Sequence, residues 1–235
     1  MAKQGEIDYL KNIGQAADHV AGKPFSDQEC GPLLAEIGAV LSLLPPPPAS
    51  LLDLGCGSGW TSAFFARRGY LVTGQDISED MIRCANRNKS EGNLAGLRFQ
   101  AGDFESLAFD GEFDCAVFFD SLHHAEQEEA ALRAAYRALR PGGVCVASEP
   151  GIGHARDPQS LDAVRRYQVT EKDMPPGKII RLGRKAGFRS HRVYPHFKFL
   201  HAALYGPDKT LAQRLGGVLL ALFGYRRSGI VVLRK

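Results

Sequence analysis

The chain has 235 residues, 44% of them hydrophobic and 23% charged, and a net charge of +3. That is enough apolar chain to bury a full core in one domain, and a charge so near balance, without a dense Lys/Arg cluster, argues against a nucleic-acid backbone as partner. Five scattered cysteines, Cys30, Cys56, Cys84, Cys115 and Cys145, form no C-x-x-C pair and argue against a disulfide framework or a zinc site.

Two weakly amphipathic helical patterns open the chain, at 5–20 and 27–43, and the second stops at Pro45–Pro48, which cannot continue a helix. The opening "MAKQGEIDYL" has no apolar signal core, and "LGGVLLALFG" (215–224) is half the length of a membrane span, so stable membrane insertion is not expected and a cytoplasmic location is.

From Ser50 the texture changes. Strands are expected at 50–54, 71–75, 97–100, 113–119 and 143–149, with "SAFFARRG", "EDMIRCANRN" and "EEAALRAAYRALR" as intervening helices. Apolar runs alternating with helical periods predict a parallel sheet covered on both faces. The connection 151–176 is long, polar and bounded by proline, with "PQSLDAVRRYQV" as its one helical stretch, and insertions of that length tend to be functional. A helix at 177–186, a strand at 190–196, a helix at 208–224 and a strand at 229–234 complete the order. Within 211–227 the central glycines and sparse charges predict a buried helix covering the sheet, with a membrane-surface role as the alternative.

The chemistry is concentrated at strand ends. "LLDLGCGSGW" (51–60) sets Gly55, Gly57 and Gly59 at alternate positions, with Asp53 before them. Such a turn lets main chain approach a nucleotide-like ligand and aims N–H groups at it. The spacing is G-x-G-x-G, not the G-x-G-x-x-G of dinucleotide sites, and no Gly-Lys-Ser/Thr follows as in a phosphate loop. Asp76 ends the second strand, where a carboxylate accepts both hydroxyls of a ribose. Asp103 and Phe104 follow the third strand, suited to an adenine amine and an adenine face, and "FFDSLHH" ends the fourth.

These segments, with "LRPGGVCVASEP", resemble the class I S-adenosylmethionine-dependent methyltransferases, particularly their bacterial small-molecule group, over about 50–150. The resemblance implies a Rossmann-like, doubly wound α/β sheet of seven strands in the order 3-2-1-4-5-7-6, the last antiparallel. It implies S-adenosylmethionine as cofactor. Asp53, Gly55, Gly57 and Gly59 would surround its methionine part, Asp76 would hold its ribose, Ile77 and Phe104 would flank its adenine, Asp103 would face the adenine amine, and Cys56 and Met81 would also contact the cofactor. Phe119 and Asp120 would lie near the amino group and the mouth of the acceptor pocket.

A hydroxyl acceptor must lose a proton as it attacks, which makes His123, His124 and His154 the candidate bases; adjacent residues point different ways, so at most one of the first two should face the pocket. Glu149 either binds an acceptor group or caps the following turn. Arg156, Arg165 and Arg166 with Tyr167 form either a solvated face or an anion grip. His191, His196 and His201 read as structural or surface, and Trp60, Phe64 and Phe65 as packing. Residues 1–44 are expected as a helical cap on the methyltransferase domain 45–235, with 151–176 contributing to the acceptor pocket and 21–27 near the cofactor, all in one structural domain. The expected partner is a small-molecule acceptor, methylated on a hydroxyl or carboxyl oxygen, with no metal and no nucleic acid, in a monomer or homodimer. RNA or protein methylation and non-catalytic cofactor binding are the rivals; "FDSL" stands where a base-nitrogen methylase would carry N/D-P-P-Y/F/W, and the glycine spacing opposes a nicotinamide dehydrogenase.

Overall fold

A computed structural model describes residues 2–14, 17–206 and 208–235. Seven strands, β1 (Ser50–Leu54), β2 (Leu71–Asp76), β3 (Leu97–Ala101), β4 (Phe113–Phe119), β5 (Leu139–Ser148), β6 (Ser190–Pro195) and β7 (Gly229–Arg234), form one sheet in the order β3-β2-β1-β4-β5-β7-β6. Pairing is parallel from β3 through β5, and β7 runs antiparallel to both β5 and β6. The strand order reverses between β1 and β4, the switch point at whose carboxyl edge open sheets bind ligands.

Alternate residues of each central strand enter two cores. Leu52, Leu54 and Phe118 face α6 (Glu128–Ala138) and α8 (Pro176–Ala186). Leu51, Cys115 and Val117 face α3 (Cys30–Leu43) and α4 (Trp60–Arg68), where Ile37, Val40 and Phe65 are buried. Phe65 and Trp60 therefore pack, as expected. Burial on both faces explains why these strands read as continuous apolar runs. The helix α5 (Glu79–Glu91) is started by Ser78, whose hydroxyl caps the Met81 N–H, and by Glu79 and Asp80 in its first turn.

Three expectations change. The helix foreseen over 5–20 is two, α1 (Ala2–Asn12) and α2 (Ala17–Ala21), with Gly14 in the left-handed region between them and residues 15 and 16 outside those described. The strand at 190–196 ends at Pro195, and a helix absent from the sequence reading, α9 (Phe197–Tyr205), follows at once. The helix foreseen at 208–224, α10 (Leu211–Phe223), has no buried residue and packs on α9, so the prediction of a buried sheet-covering helix fails. Its composition was read as core, but its start is fixed locally by a Thr210–Gln213 capping box rather than by the sheet.

The insertion contains a short 3₁₀ turn at His154–Arg156 and the helix α7 (Pro158–Tyr167). It meets α1 over the carboxyl edge of the sheet. A Cβ on Gly5 would lie 2.1 Å from the Gln168 carbonyl oxygen, so only glycine allows this approach. Tyr9 and Tyr167 stack edge to face at 5.5 Å, and the Thr170 N–H donates to Glu6 at 2.7 Å. Of the expected N-terminal cap, α1 is the part over the site, whereas α3 belongs to the core beneath.

Candidate active site

The loop after β1 holds Gly55, Gly57 and Gly59 at φ of 73°, 52° and 79°, all left-handed. The Gly55 and Cys56 N–H groups donate to the Gln75 carbonyl at 2.8 and 3.0 Å, pinning the loop to the end of β2. The Gly57 N–H donates to Asp76 Oδ2 and the Ser78 N–H to Oδ1, each at 2.9 Å. Burial pushes the Asp76 carboxyl up, and these two N–H bonds pull it back toward the charged form.

Over this junction lies a cavity of about 180 Å³. Gly55, Gly57, Asp76, Ile77, Met81, Asp103, Phe104 and Asp120 of the expected cofactor set line it, as does His124. The other four of that set lie behind the wall. Asp53 is buried beneath the turn, where it accepts the Thr61 and Ser62 hydroxyls at 2.7 and 2.6 Å and is pushed up to about 6 by burial. Cys56 is buried, Gly59 abuts Phe99, and Phe119 packs edge to face on Trp60 at 5.3 Å. These four support the turn without facing the cavity.

Five lining residues escaped the sequence reading: Lys3, Glu6, Tyr9, Glu105 and Ser121. The first three share one face of α1 at i, i+3, i+6, the one signal available. Lys3 places its ammonium 2.5 Å from Asp103 and 3.1 Å from Glu105. The group standing at Asp103 is thus the protein's own cation, where an adenine amine was expected.

Beside the cavity the three candidate histidines come together. The rings of His123 and His124 are 4.0 Å apart and those of His123 and His154 4.9 Å. Glu149, wholly buried, accepts the N–H groups of Ser121 (3.0 Å), Leu122 (2.8 Å) and His123 (3.2 Å) and meets His123 Nδ1 at 2.8 Å. It caps the turn after β4 rather than the one after its own strand. His123 is itself buried and is held far below its ordinary value by burial and by the neighbouring His124 charge, so it is neutral.

His124 is opposite in character. Its Nδ1 is 2.6 Å from the Thr170 carbonyl and 3.4 Å from Glu6. Burial pulls its pKa down, but the bond and charge of Glu6, the charge of Glu171 and the Thr170 carbonyl bring it up to about 9. Glu171 meets His154 Nε2 at 2.6 Å and His123 Nε2 at 3.5 Å. His123, His124 and Glu171 offer ligand atoms within 4.8 Å of one another, a grouping that can seat a cation and that a metal-free reading of the sequence did not foresee, because Glu171 lies far along the chain in the insertion.

The remaining candidates sort plainly. Arg165 and Arg166 are exposed and pair with Asp162, a solvated face. His196 is buried between Glu36 at 2.5 Å and the Glu149 carbonyl at 3.0 Å, a structural role. The loop 21–27 adjoins the glycine turn: Ser58 Oγ donates to the Val20 carbonyl and Asn88 to Ala21.

The family described as Methyltransferase domain matches residues 52–147. A ubiquinone biosynthesis O-methyltransferase of Psychrobacter cryohalolentis is 39% identical over 101 residues, 42% of this chain and 39% of that protein. The protein of the same name from Coxiella burnetii is 33% identical over 94 residues, 40% of each. The chain therefore spans less than half the length of these relatives. A solved S-adenosylmethionine dependent methyltransferase from Mesorhizobium loti superposes with TM-score 0.62 at 23% identity, covering 86% of this chain and 98% of that one. The 4+2 cyclase SpnF does so with TM-score 0.60 at 22% identity, covering 88% and 81%. Likenesses at these identities concern the fold. The matched segment spans the glycine turn and the carboxyl ends of β1 to β4, and over residues 52–147 the chain is similar to the methyltransferase domain family.

Proposed function

We propose that this protein transfers the methyl group of S-adenosylmethionine to a hydroxyl oxygen of a small-molecule acceptor, with His124 taking the acceptor's proton. The observation that carries the reading is one cavity bordered by the glycine turn, Asp76 and His124. Since the same fold occurs in a cyclase, the fold does not decide the reaction and the site must.

The residues fit the cofactor. Gly57 lines the cavity, and a Cβ built on it meets nothing within 4 Å, so the main chain there is bare and open. Asp76 keeps lone pairs for a ribose diol, Ile77, Met81 and Phe104 supply apolar wall for a base, and Asp103 accepts an amine once Lys3 yields. The cofactor supplies a methyl on a cationic sulfur. The chain's own work is to hold the acceptor in line and to exclude water, to which α1 contributes through Lys3, Glu6 and Tyr9, whereas the insertion, expected at the acceptor pocket, supplies no lining residue and instead braces α1 and His124 from outside. An unprotonated His124 is a strong enough base to accept a hydroxyl proton, and Glu6 and Glu171 stabilise the imidazolium that results. Glu149 and His123 are positioning residues: they fix the turn that carries His124.

The covered cavity supports a small acceptor over RNA or protein. The test is S-adenosylhomocysteine release with a panel of hydroxyl, carboxyl, amine and macromolecular acceptors. Turnover of a hydroxyl compound, lost on His124→Ala while S-adenosylhomocysteine still binds, is expected. Methylation of nitrogen or of a macromolecule alone would replace this reading, and cofactor binding without any turnover would point to a regulatory protein of the same fold.

A further inference from the structure

We propose that the α9–α10 hairpin docks the protein onto the surface of an anionic lipid bilayer. Leu211, Leu215, Leu219, Leu220 and Phe223 are all more than half exposed, at 73%, 57%, 55%, 74% and 76%. At i, i+4, i+8, i+9 and i+12 they make a single apolar stripe along α10. Tyr205, at the end of α9, adds to the same exposed element at 72%. A folded chain rarely leaves so continuous an aliphatic ridge in water without a surface to cover it.

Charge identifies that surface. From Met174 to Lys235 the sequence has thirteen lysines and arginines and one acid, Asp208, whereas the first 173 residues have sixteen basic and twenty-five acidic side chains. A modest net charge thus conceals a strongly basic last quarter. Arg226 and Arg227 are exposed directly after α10, and Arg192 is exposed on the edge strand β6. Among the described residues, none of Arg192, Lys209, Arg214, Arg226 and Arg227 lies within ion-pair distance of a carboxylate; the basic groups of this region that do are Lys178, Lys185 and Lys198. An apolar stripe rimmed by unpaired cations matches anionic headgroups over acyl chains. A second copy on this face would set one basic rim against another, and a nucleic acid would leave the leucines uncovered.

Among the described residues no helix is long and apolar enough to cross a membrane, so the hairpin would lie in the interface. Its position gives the docking a consequence. β6 is parallel to β1–β5, so α9 begins at the carboxyl edge of the sheet, and Lys198 on its first turn is 3.7 Å from Asp120, which lines the cavity. Docking therefore brings the cavity edge close to the lipid surface, whatever the acceptor.

The test is co-sedimentation of the full chain with vesicles of phosphatidylcholine alone and with vesicles that also contain phosphatidylglycerol. Binding only to the anionic vesicles is expected, weakened roughly tenfold or more by Arg226→Gln with Arg227→Gln, and by high salt. Leu219→Glu with Leu220→Glu should abolish it while the melting temperature and S-adenosylhomocysteine affinity stay unchanged, since both leucines are more than half exposed and α10 contributes no residue to the cavity. No partitioning into anionic vesicles overturns the proposal. So does a concentration-dependent dimer in sedimentation velocity that the leucine variant dissolves, or equal retention of the leucine variant on vesicles and on nucleic acid.

Discussion

The Gly57 N–H donates to Asp76 Oδ2 at 2.9 Å, joining two residues nineteen positions apart at one end of the sheet. Strand register brings this about: Asp53 pairs with Gly74 and Leu54 with Gln75, so the next residues of β1 and β2 leave the sheet side by side. The bare turn and the Asp76 carboxylate are therefore two products of one parallel pairing.

Replacing Asp76 by Ala should weaken S-adenosylhomocysteine binding by about 1.5–3 kcal/mol, the scale of hydrogen bonds to a charged group. Asp76→Asn should lose less, since an amide oxygen can still accept the Gly57 N–H. Calorimetry that finds Asp76→Ala binding as tightly as the parent removes the ribose assignment.

The three glycines of the turn differ in what a side chain would meet, which separates binding from folding. A Cβ on Gly57 meets open space but demands left-handed backbone, a strain of about 1–2 kcal/mol. A Cβ on Gly59 would lie 2.5 Å from the Phe99 ring. Gly57→Ala should thus fold with a modestly lower melting temperature and lose most cofactor affinity, whereas Gly59→Ala should lose several degrees more in thermal melts. Equal melting temperatures for the two variants would contradict this division.

What the sequence disclosed and what it hid follow one physical line. β1, β4 and β7 fall where their apolar runs end, because a strand buried on both faces is written in contiguous residues. Asp76 and Asp103 were legible because their strands deliver them to a known edge. Glu149 was misread because its partners, Ser121, Leu122 and His123, come from the neighbouring strand, a pairing that local spacing does not encode. Lys3, Glu6 and Glu171 were missed for the same reason, as each acts across a tertiary contact between α1, the insertion and the sheet edge. The hairpin was misjudged because an aliphatic helix has the same composition whether it faces a core or a membrane.

Lys3 lies over Asp103 and Glu105 as a latch between α1 and the cavity floor. In the proposed binding mode, adenine reaches Asp103 only after the ammonium moves away. Lys3→Ala should therefore tighten S-adenosylhomocysteine binding roughly two- to fivefold, in keeping with the modest worth of a part-exposed pair. Weaker binding by calorimetry would mean that Lys3 holds the lid shut over the ligand instead.

The charge state of His124 gives a pH signature with a defined sign. Its folded value, about 9, exceeds the ordinary 6.5, so the stabilisation it provides is complete below pH 6.5 and disappears as pH rises through 9. That window should contain a fall on the order of 2–3 kcal/mol in unfolding free energy, measured by denaturant titration across pH. Glu6→Gln removes the largest of the influences that raise the value and should flatten the fall. The same substitution should move the acidic limb of the methyl-transfer rate toward lower pH, because His124 then loses its proton more easily. If the limb stays in place while the stability profile flattens, His124 is a structural cation and the proton leaves by another route, through the His154–Glu171 pair beside it.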